Sequence, residues 1–494
     1  MSVLSRAEVP LRNPGKFYIG GQWVAPSSSS VFDVVDSGTE QAFFQVAEAQ
    51  AADVDRAVTA ARQAFDEGPW PRLSHQERAG YLRAIAEELR AHVESIGTMW
   101  PRESGALASL VSPFTLRGAQ EWDENADLAD TFVFEEPASP FGGGFGIIAR
   151  EPVGVVAAII PWNGPLGSIS HKVGPALLAG CTVVLKAAPE APGIALLMGE
   201  IAERVGLPPG VFNVITADRE VSELLVRDPR VDKISLTGST VAGRKIAQIA
   251  GERIARFSLE LGGKSAAVIL DDADLDAAAA TLAAAECVVS GQVCYSLTRL
   301  VVPRHLQDPF VDALVSHFAS VRVGDPYDPE AQIGPLASQR QLDRVNGYIA
   351  QGVDEGARLV TGGSRPSGLD RGYYVSPTVF ADVDNDQTIA RDEIFGPVLS
   401  VIPADSEDDA IRIANDTIYG LNASVFTPDV DRARAVARRL RSGTVGHNAV
   451  RQDLAMGFGG FKQSGYGREG GVEGLRLYLE SKAIILNEAP SDLR

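Results

Sequence analysis

From residue 153 onward the chain alternates between continuous apolar runs and amphipathic ones. "VGVVAAII" is followed by a helical stretch through "ALLAG", then "TVVLK", a helix ending near Gly206, "VFNVIT" and "DKISLTG". The apolar runs lack the period of two that a half-exposed strand would show. Both faces are therefore buried, the pattern of a parallel sheet with helices on each side. A second alternation begins after "SLELGGK", with "SAAVIL", an Ala-rich helix over 274–287, "LTRLVVP", a helix over 307–319 and further segments to about 460. The pattern predicts an α/β protein in which a doubly wound, mononucleotide-binding sheet precedes a second α/β domain of similar size.

Upstream, "FYIGGQWV" reads as two short strands about a Gly-Gly turn, an N-terminal decoration. "SHQE" at 74–77 has the form of a capping box. Leu82, Ile85, Leu89, Val93 and Ile96 continue at helical spacing, which predicts one amphipathic helix. The Pro- and Gly-rich stretch "FEEPASPFGGGFGIIAR" (134–150) and the tail "LYLESKAIILNEAP" stand apart from both alternations. Exposed strands of this kind pair with each other or with a neighbouring subunit.

Composition narrows the function classes. At 494 residues the chain exceeds a single core, and 45% hydrophobic with 22% charged residues is an ordinary globular balance. A formal net charge of −19 repels nucleic acid and anionic membrane, which favours small neutral or carbonyl substrates. No apolar run reaches signal-peptide or transmembrane length, so a cytoplasmic location is expected. Cys181, Cys287 and Cys294 are too sparse for a disulfide framework or a zinc cluster, and the six histidines are scattered singly. No metal is expected.

Four stretches could carry chemistry, each with a plainer alternative. In "ISLTGSTVAGRKIAQIA", Gly238 and Gly243 permit close backbone approach, and Ser239 at a helix start suits a pyrophosphate; such turns also cap helices for structural reasons. "IIPWNGP" ends a buried strand at the sheet edge where ligands bind. There Asn163 either donates to a developing oxyanion or caps the next helix. Lys172, nine residues on, reads more readily as a solvated lysine than as a proton relay. "SLELGGKS" sets Glu260 in an apolar run, as a general base or as a carboxylate held by backbone amides. Cys294 in "SGQVCYSLTR" is either a nucleophile that needs an activating neighbour or an inert buried thiol, the role given to Cys181 and Cys287.

In this order and at about these spacings, "PWN" (161–163), "LK" (185–186), "GSTVAG" (238–243), "LELGGKSA" (259–266), "GQVC" (291–294), "EIFGPV" (393–398) and "GFGGFKQSGYGRE" (457–469) resemble the aldehyde dehydrogenase superfamily over nearly the whole chain. The resemblance implies a dinucleotide-binding domain over 1–131 and 151–261, and a catalytic domain carrying the nucleophile over 262–460. It also implies a small β oligomerisation arm over 132–150 and 470–494, and hence a homodimer or homotetramer. It makes Cys294 the nucleophile, Asn163 with the Cys294 N–H the oxyanion donors, Glu260 the base for thioester hydrolysis and, more loosely, Lys172 a proton relay. Ile159, Pro161, Trp162, Lys186, Gly238, Ser239, Gly243, Glu393 and Phe395 fall at cofactor-binding positions. The implied cofactor is NAD, with NADP allowed because Pro189 replaces the family's usual glutamate and Glu190 stands next to it.

The chain departs from the family pattern around the nucleophile. Tyr295 and Ser296 replace small residues, so a phenol and two hydroxyls are expected at the aldehyde site. Gly164, Gly167 and His171 stand where bulky apolar residues are common, which predicts a wide, partly polar tunnel for a bulky or aromatic aldehyde. Val289 stands in place of a common Asn. Three rival readings are a CoA-acylating semialdehyde dehydrogenase, opposed by Glu260; a non-catalytic binding member of the family; and a cysteine hydrolase, for which His447 is the histidine nearest a substrate-site segment.

Overall fold

The computed structural model describes residue 4 and residues 6–491; the outermost parts of the first and last sequence stretches, residues 1–3, 5 and 492–494, lie outside the described residues. Five parallel strands form the middle of an eight-stranded sheet: Arg256–Glu260, Lys233–Thr237, Val155–Ile159, Thr182–Ala187 and Phe212–Thr216, in spatial order. Their side chains point alternately into two cores. Val156, Ala158, Val183, Leu185 and Val214 pack against the helices Pro165–Ala179 and Gly193–Arg204, with His75–Ala91 and Ala108–Thr131 behind them. Val155, Ala157, Ile159, Val184 and Ile215 face the helices Ala51–Asp66 and Thr240–Arg253. Both faces are covered, which is why these strands are continuously apolar.

Strand order reverses between Val155–Ile159 and Lys233–Thr237. One half of the sheet grows away from each of these neighbours, so a crevice opens beyond their carboxyl ends. "PWN" and "GST" sit there.

The second sheet has seven strands, ordered Arg358–Thr361, Thr378–Ala381, Val398–Ala404, Arg299–Pro303, Ala266–Ile269, Asn422–Phe426 and Thr444–His447. It too is buried on both faces, with Val301 in one core and Leu300 and Val302 in the other. Beyond residue 460 the chain returns to the first sheet, where Gly465–Tyr466 pairs with the end of Arg256–Glu260. The two separate stretches do pair with each other: Leu479–Leu486 and Glu135–Ala138 flank Phe145–Pro152 in a three-stranded antiparallel sheet. The ordered strand of the tail thus begins at 479.

Two local expectations differ from the structure. The hairpin Phe17–Ile19/Gln22–Val24 is no decoration, since Tyr18 pairs with Val214 and the hairpin extends the large sheet. The helix opened by Ser74 stops at Ala91, and Val93–Ser104 forms a separate helix. His92 breaks it: its Nδ1 lies 2.6 Å from the Glu88 carbonyl, the acceptor its own N–H would need, and that N–H donates to Leu89 instead. Among the described residues no helix is long and apolar enough to cross a membrane.

Candidate active site

Cys294 follows the helix Leu275–Cys287 through a one-turn segment, Val288–Gly291, that is sharply bent. Val289 and Ser290 have φ of 47° and 57°, in the left-handed region. A β-branched residue there costs roughly 1–2 kcal/mol, whereas Asn tolerates it, so Val289 is the strained substitute for the usual Asn. The bend is held from several sides. Ser290 Oγ donates to the Gly334 carbonyl at 2.8 Å. The buried Gln292 amide donates to the carbonyls of Ser104 (3.1 Å) and Val289 (2.9 Å) and accepts from the Ala337 N–H at 2.9 Å. On the remaining side Gly263 is packed so closely that a Cβ there would lie 2.4 Å from the Cys294 carbonyl oxygen.

Asn163 reaches this loop: its Nδ2 donates to the Gln292 carbonyl at 2.8 Å. The capping alternative is not realised, because the helix Pro165–Ala179 is capped at Gly164 and receives no side-chain bond. Burial pushes the Cys294 thiol well above the ordinary range, and the Glu393 and Glu260 carboxylates push it further, while the N–H groups of Cys294 and Tyr295 oppose them. Cys181 and Cys287 are buried, and burial raises them to about 11 and about 12.

Glu260 ends its strand buried. No backbone amide holds its carboxyl group, and Oε2 has no hydrogen-bond partner among the described residues. Burial first, then the charge of Glu469, raises its pKa well above the carboxylate range; Lys172 and Arg468 oppose. Lys172 is not a surface lysine. It is fully buried, ion-paired with Glu469, with Nζ 3.4 Å from Ser235 Oγ. Glu469, in the stretch that returns to the first sheet, was not singled out from sequence; its signal is a glutamate directly after the Gly-rich run "GYGR".

The cofactor positions surround the crevice at the strand reversal. Ile159 closes its strand, Pro161 and Trp162 lie half-buried just beyond, and the Trp162 ring meets Phe395 edge-on, with centroids 5.4 Å apart. Phe395 has φ 65°, and Glu393 Oε1 accepts from the Gly263 N–H at 3.0 Å. Burial draws the Lys186 ammonium down to about 8 against the charges of Glu190 and Asp218; it makes no hydrogen bond among the described residues. Gly238 and Ser239 lead into the helix Thr240–Arg253, with Ser239 Oγ accepting from Ala242 N at 3.3 Å. The cap reading of Ser239 is therefore realised, beside a helix start that remains a suitable anion site. A Cβ on Gly243 would lie 2.5 Å from Leu261 Cδ1, so the absence of a side chain also lets the helix sit close over the end of the strand Arg256–Glu260.

The aldehyde dehydrogenase family model matches residues 23–484. The chain belongs to the aldehyde dehydrogenase family. It is 42% identical to the geranial dehydrogenase of Castellaniella defragrans, over 95% of this chain and 98% of that one. It is also 42% identical to a 3-succinoylsemialdehyde-pyridine dehydrogenase of a Pseudomonas species, over 96% and 99%. Among solved structures, a Mycobacterium tuberculosis aldehyde dehydrogenase complexed with NAD+ superposes with a TM-score of 0.93 at 44% identity, covering 95% of this chain and 98% of that one. A cysteine-to-alanine variant of Pseudomonas syringae aldehyde dehydrogenase C, holding NAD+ and octanal, gives 0.94 at 41%, covering 99% and 100%. As an aldehyde dehydrogenase the chain is an oxidoreductase acting on aldehydes.

Around Cys294, Tyr295 packs edge-on to Phe458, with centroids 6.1 Å apart, in a small cluster with Cys294, Leu421 and Leu454. Ser296 does not join it; it is buried and hydrogen-bonds Glu286, so only the phenol flanks the thiol. His447 Nε2 lies 2.8 Å from the Thr427 carbonyl, and no histidine is among the groups that shift Cys294. The Cys-His pair a hydrolase needs is not formed among the described residues.

Proposed function

We propose that this chain oxidises an aldehyde to the carboxylic acid through a cysteine-bound intermediate, with NAD as hydride acceptor. Cys294 thiolate adds to the carbonyl carbon, and the oxyanion accepts from the Asn163 amide and the Cys294 N–H, each such donor contributing about 3–4 kcal/mol. Bound NAD takes up the hydride, leaving a thioester on Cys294. Water then attacks the thioester, Glu260 takes its proton, and the acid leaves with the thiolate restored. Lys172 fixes Glu469 beside that base. The observation that carries this reading is Glu260: a buried carboxyl with a free oxygen, close enough for its charge to reach Cys294. Such a group is poised to accept a proton.

The crevice suits a dinucleotide. Its helix start fits a pyrophosphate, the unbonded Lys186 ammonium fits ribose hydroxyls, and Glu393, Trp162 and Phe395 stand at the nicotinamide end. Glu190, paired with Arg340 at 2.5 Å, and Asp218 keep negative charge near Lys186, which favours NAD over a 2′-phosphorylated cofactor. The two curated relatives are named for geranial and for a pyridine semialdehyde, and one similar structure holds octanal, all larger than a two-carbon aldehyde. Together with Gly164 and Gly167, neither of which has a side chain to narrow the tunnel, this supports a bulky or aromatic aldehyde. We assign residues 1–131 with 151–261 to cofactor binding, 262–460 to the nucleophile's domain, and the three-stranded sheet to contact with a second copy.

Reduced-cofactor absorbance across short, long-chain and aromatic aldehydes, with NAD and with NADP, tests the proposal beside Cys294→Ala. Turnover by the parent on the larger aldehydes with NAD, and none by the variant, is expected. Activity on short aldehydes alone overturns the substrate class; an active Cys294→Ala protein overturns the mechanism.

A further inference from the structure

Behind the bent turn that leads to Cys294 lies another buried carboxyl group. Glu286 ends the buried face of the helix Leu275–Cys287, after Ala278, Ala279, Leu282 and Ala283. Its Oε1 faces Gly291: a Cβ on that glycine would lie 2.8 Å from Oε1 and 2.6 Å from the Gly396 carbonyl carbon. Gly291, with φ 70°, is thus closed in between the Glu286 carboxyl group and the main chain that follows Phe395. The same carboxyl group accepts from Ser296 Oγ and from the Val398 N–H, while Oε1 has no hydrogen-bond partner among the described residues. One side chain therefore meets the chain three residues before Cys294 and two residues after it, and anchors both to the strand Val398–Ala404.

Lys264 shares this interior. It is buried, and Nζ has no hydrogen-bond partner among the described residues. Burial first, then the charge of Arg299, draws the ammonium down to about 7, against Glu286, Glu393 and Asp392. Lys264 directly follows Gly263, whose packing against the Cys294 carbonyl closes the other side of the loop.

Resting on the reading of Cys294 as the nucleophile, we infer that Glu286 is a positioning residue for the thiol. It clamps the chain on both sides of Cys294 to one carboxyl group, and so fixes the line along which the sulfur meets a bound aldehyde. The requirement comes from the turn. Val289 and Ser290 are held in the left-handed region, a conformation that persists only when its surroundings enforce it. Ser290 and Gln292 secure the turn before Cys294. Glu286 ties that turn to Ser296 beyond it. Burial raises the Glu286 carboxyl group to about 8, against Lys264, the Val398 N–H and Ser296, so at pH 7 it is mostly the uncharged acid. A Gln amide has nearly the same shape and keeps an acceptor oxygen, whereas Leu fills the space and accepts nothing.

The test compares the parent with Glu286→Leu, Glu286→Gln, Ser296→Ala and the double variant Glu286→Leu with Ser296→Ala. On rapid mixing with NAD and an accepted aldehyde at pH 7, Glu286→Leu should form the first equivalent of reduced cofactor roughly 10- to 100-fold more slowly. Its dissociation constant for NAD should stay within about twofold of the parent's, because the clamp acts on the thiol. Ser296→Ala should slow the same phase less, the double variant should be no slower than Glu286→Leu, and Glu286→Gln should recover most of the rate. Without cofactor, hydrogen exchange in the peptide 288–297 should be at least about fivefold faster in Glu286→Leu, with the first sheet unchanged. Losses that multiply in the double variant, a Gln variant as slow as the Leu variant, or a Leu variant with parental rate and exchange each overturn the clamp. If Glu286→Leu does not fold, Ser296→Ala decides: parental rate and exchange in it overturn the clamp as well. A parent that forms no reduced cofactor with any aldehyde removes Cys294 as the nucleophile and the clamp's purpose with it. An active parent beside a Glu286→Leu protein of parental rate removes the clamp alone.

Discussion

A thiol placed like that of Cys294 is protonated at neutral pH, because burial and two carboxylates all oppose its charge. Glu393 is the stronger of the two. Burial raises Glu393 itself to about 7, against the Gly263 N–H, Arg344 and Lys264. Above that pH it is negative and holds the thiol neutral; below it the repulsion is gone. Replacing Glu393 by Gln removes a like charge, so the Cys294 pKa must fall. The pH profile of iodoacetamide alkylation, measured without cofactor, should move down by about one unit in Glu393→Gln, with the two proteins converging below pH 7. Superimposable profiles would show that Glu393 does not govern the thiol.

At the scale of elements, the position of Cys294 is set by contacts between segments far apart in the chain. The Cys294 carbonyl lies against Gly263, in the loop between the strands Arg256–Glu260 and Ala266–Ile269. Gly263 has ordinary negative-φ backbone, so Gly263→Ala is a purely steric change, pressing on main chain that cannot swing aside. Displacing a reacting atom by about 1 Å costs on the order of 100-fold. Gly263→Ala should therefore lose roughly that factor in kcat while its dissociation constant for NAD, followed by fluorescence, changes far less. Equal losses in both would place the damage in the cofactor crevice instead. The same distances explain what sequence could tell. Asn163, Ser239 and Glu260 stood out as candidates because each sits in a short stretch at a strand end, and Cys294 because it follows a Gly-Gln turn; only the ordered set of motifs favoured chemistry over the plainer alternative at each. Gln292 with Ser104, 188 residues away, and Lys172 with Glu469, 297 away, did not stand out. The break at His92 escaped for a related reason: apolar spacing carries across it, and only the ring's approach to the Glu88 carbonyl ends the helix.

For the whole molecule, the three-stranded sheet of Glu135–Ala138, Phe145–Pro152 and Leu479–Leu486 stands apart from the two large sheets. Both outer strands present one unpaired edge. Phe141 at the hairpin tip is fully exposed, Val133 is 55% exposed and Ile485 is 68% exposed. A net charge of −19 resists indiscriminate association, so apolar groups gathered on one projecting sheet favour a specific, symmetric contact. In the assembly proposed above, a second copy of the chain completes this sheet. Light scattering of the parent at micromolar concentration should give a dimer or larger, and the double substitution Phe141→Asp with Ile485→Glu should give a monomer with unchanged circular dichroism. Because Cys294, Glu260 and the cofactor crevice all lie within one chain, the monomer should still form reduced cofactor, with lower thermal stability as its main loss. A parent that is monomeric at that concentration, or a double variant that still assembles, would mean that these edges are not the contact and that the fold leaves them open.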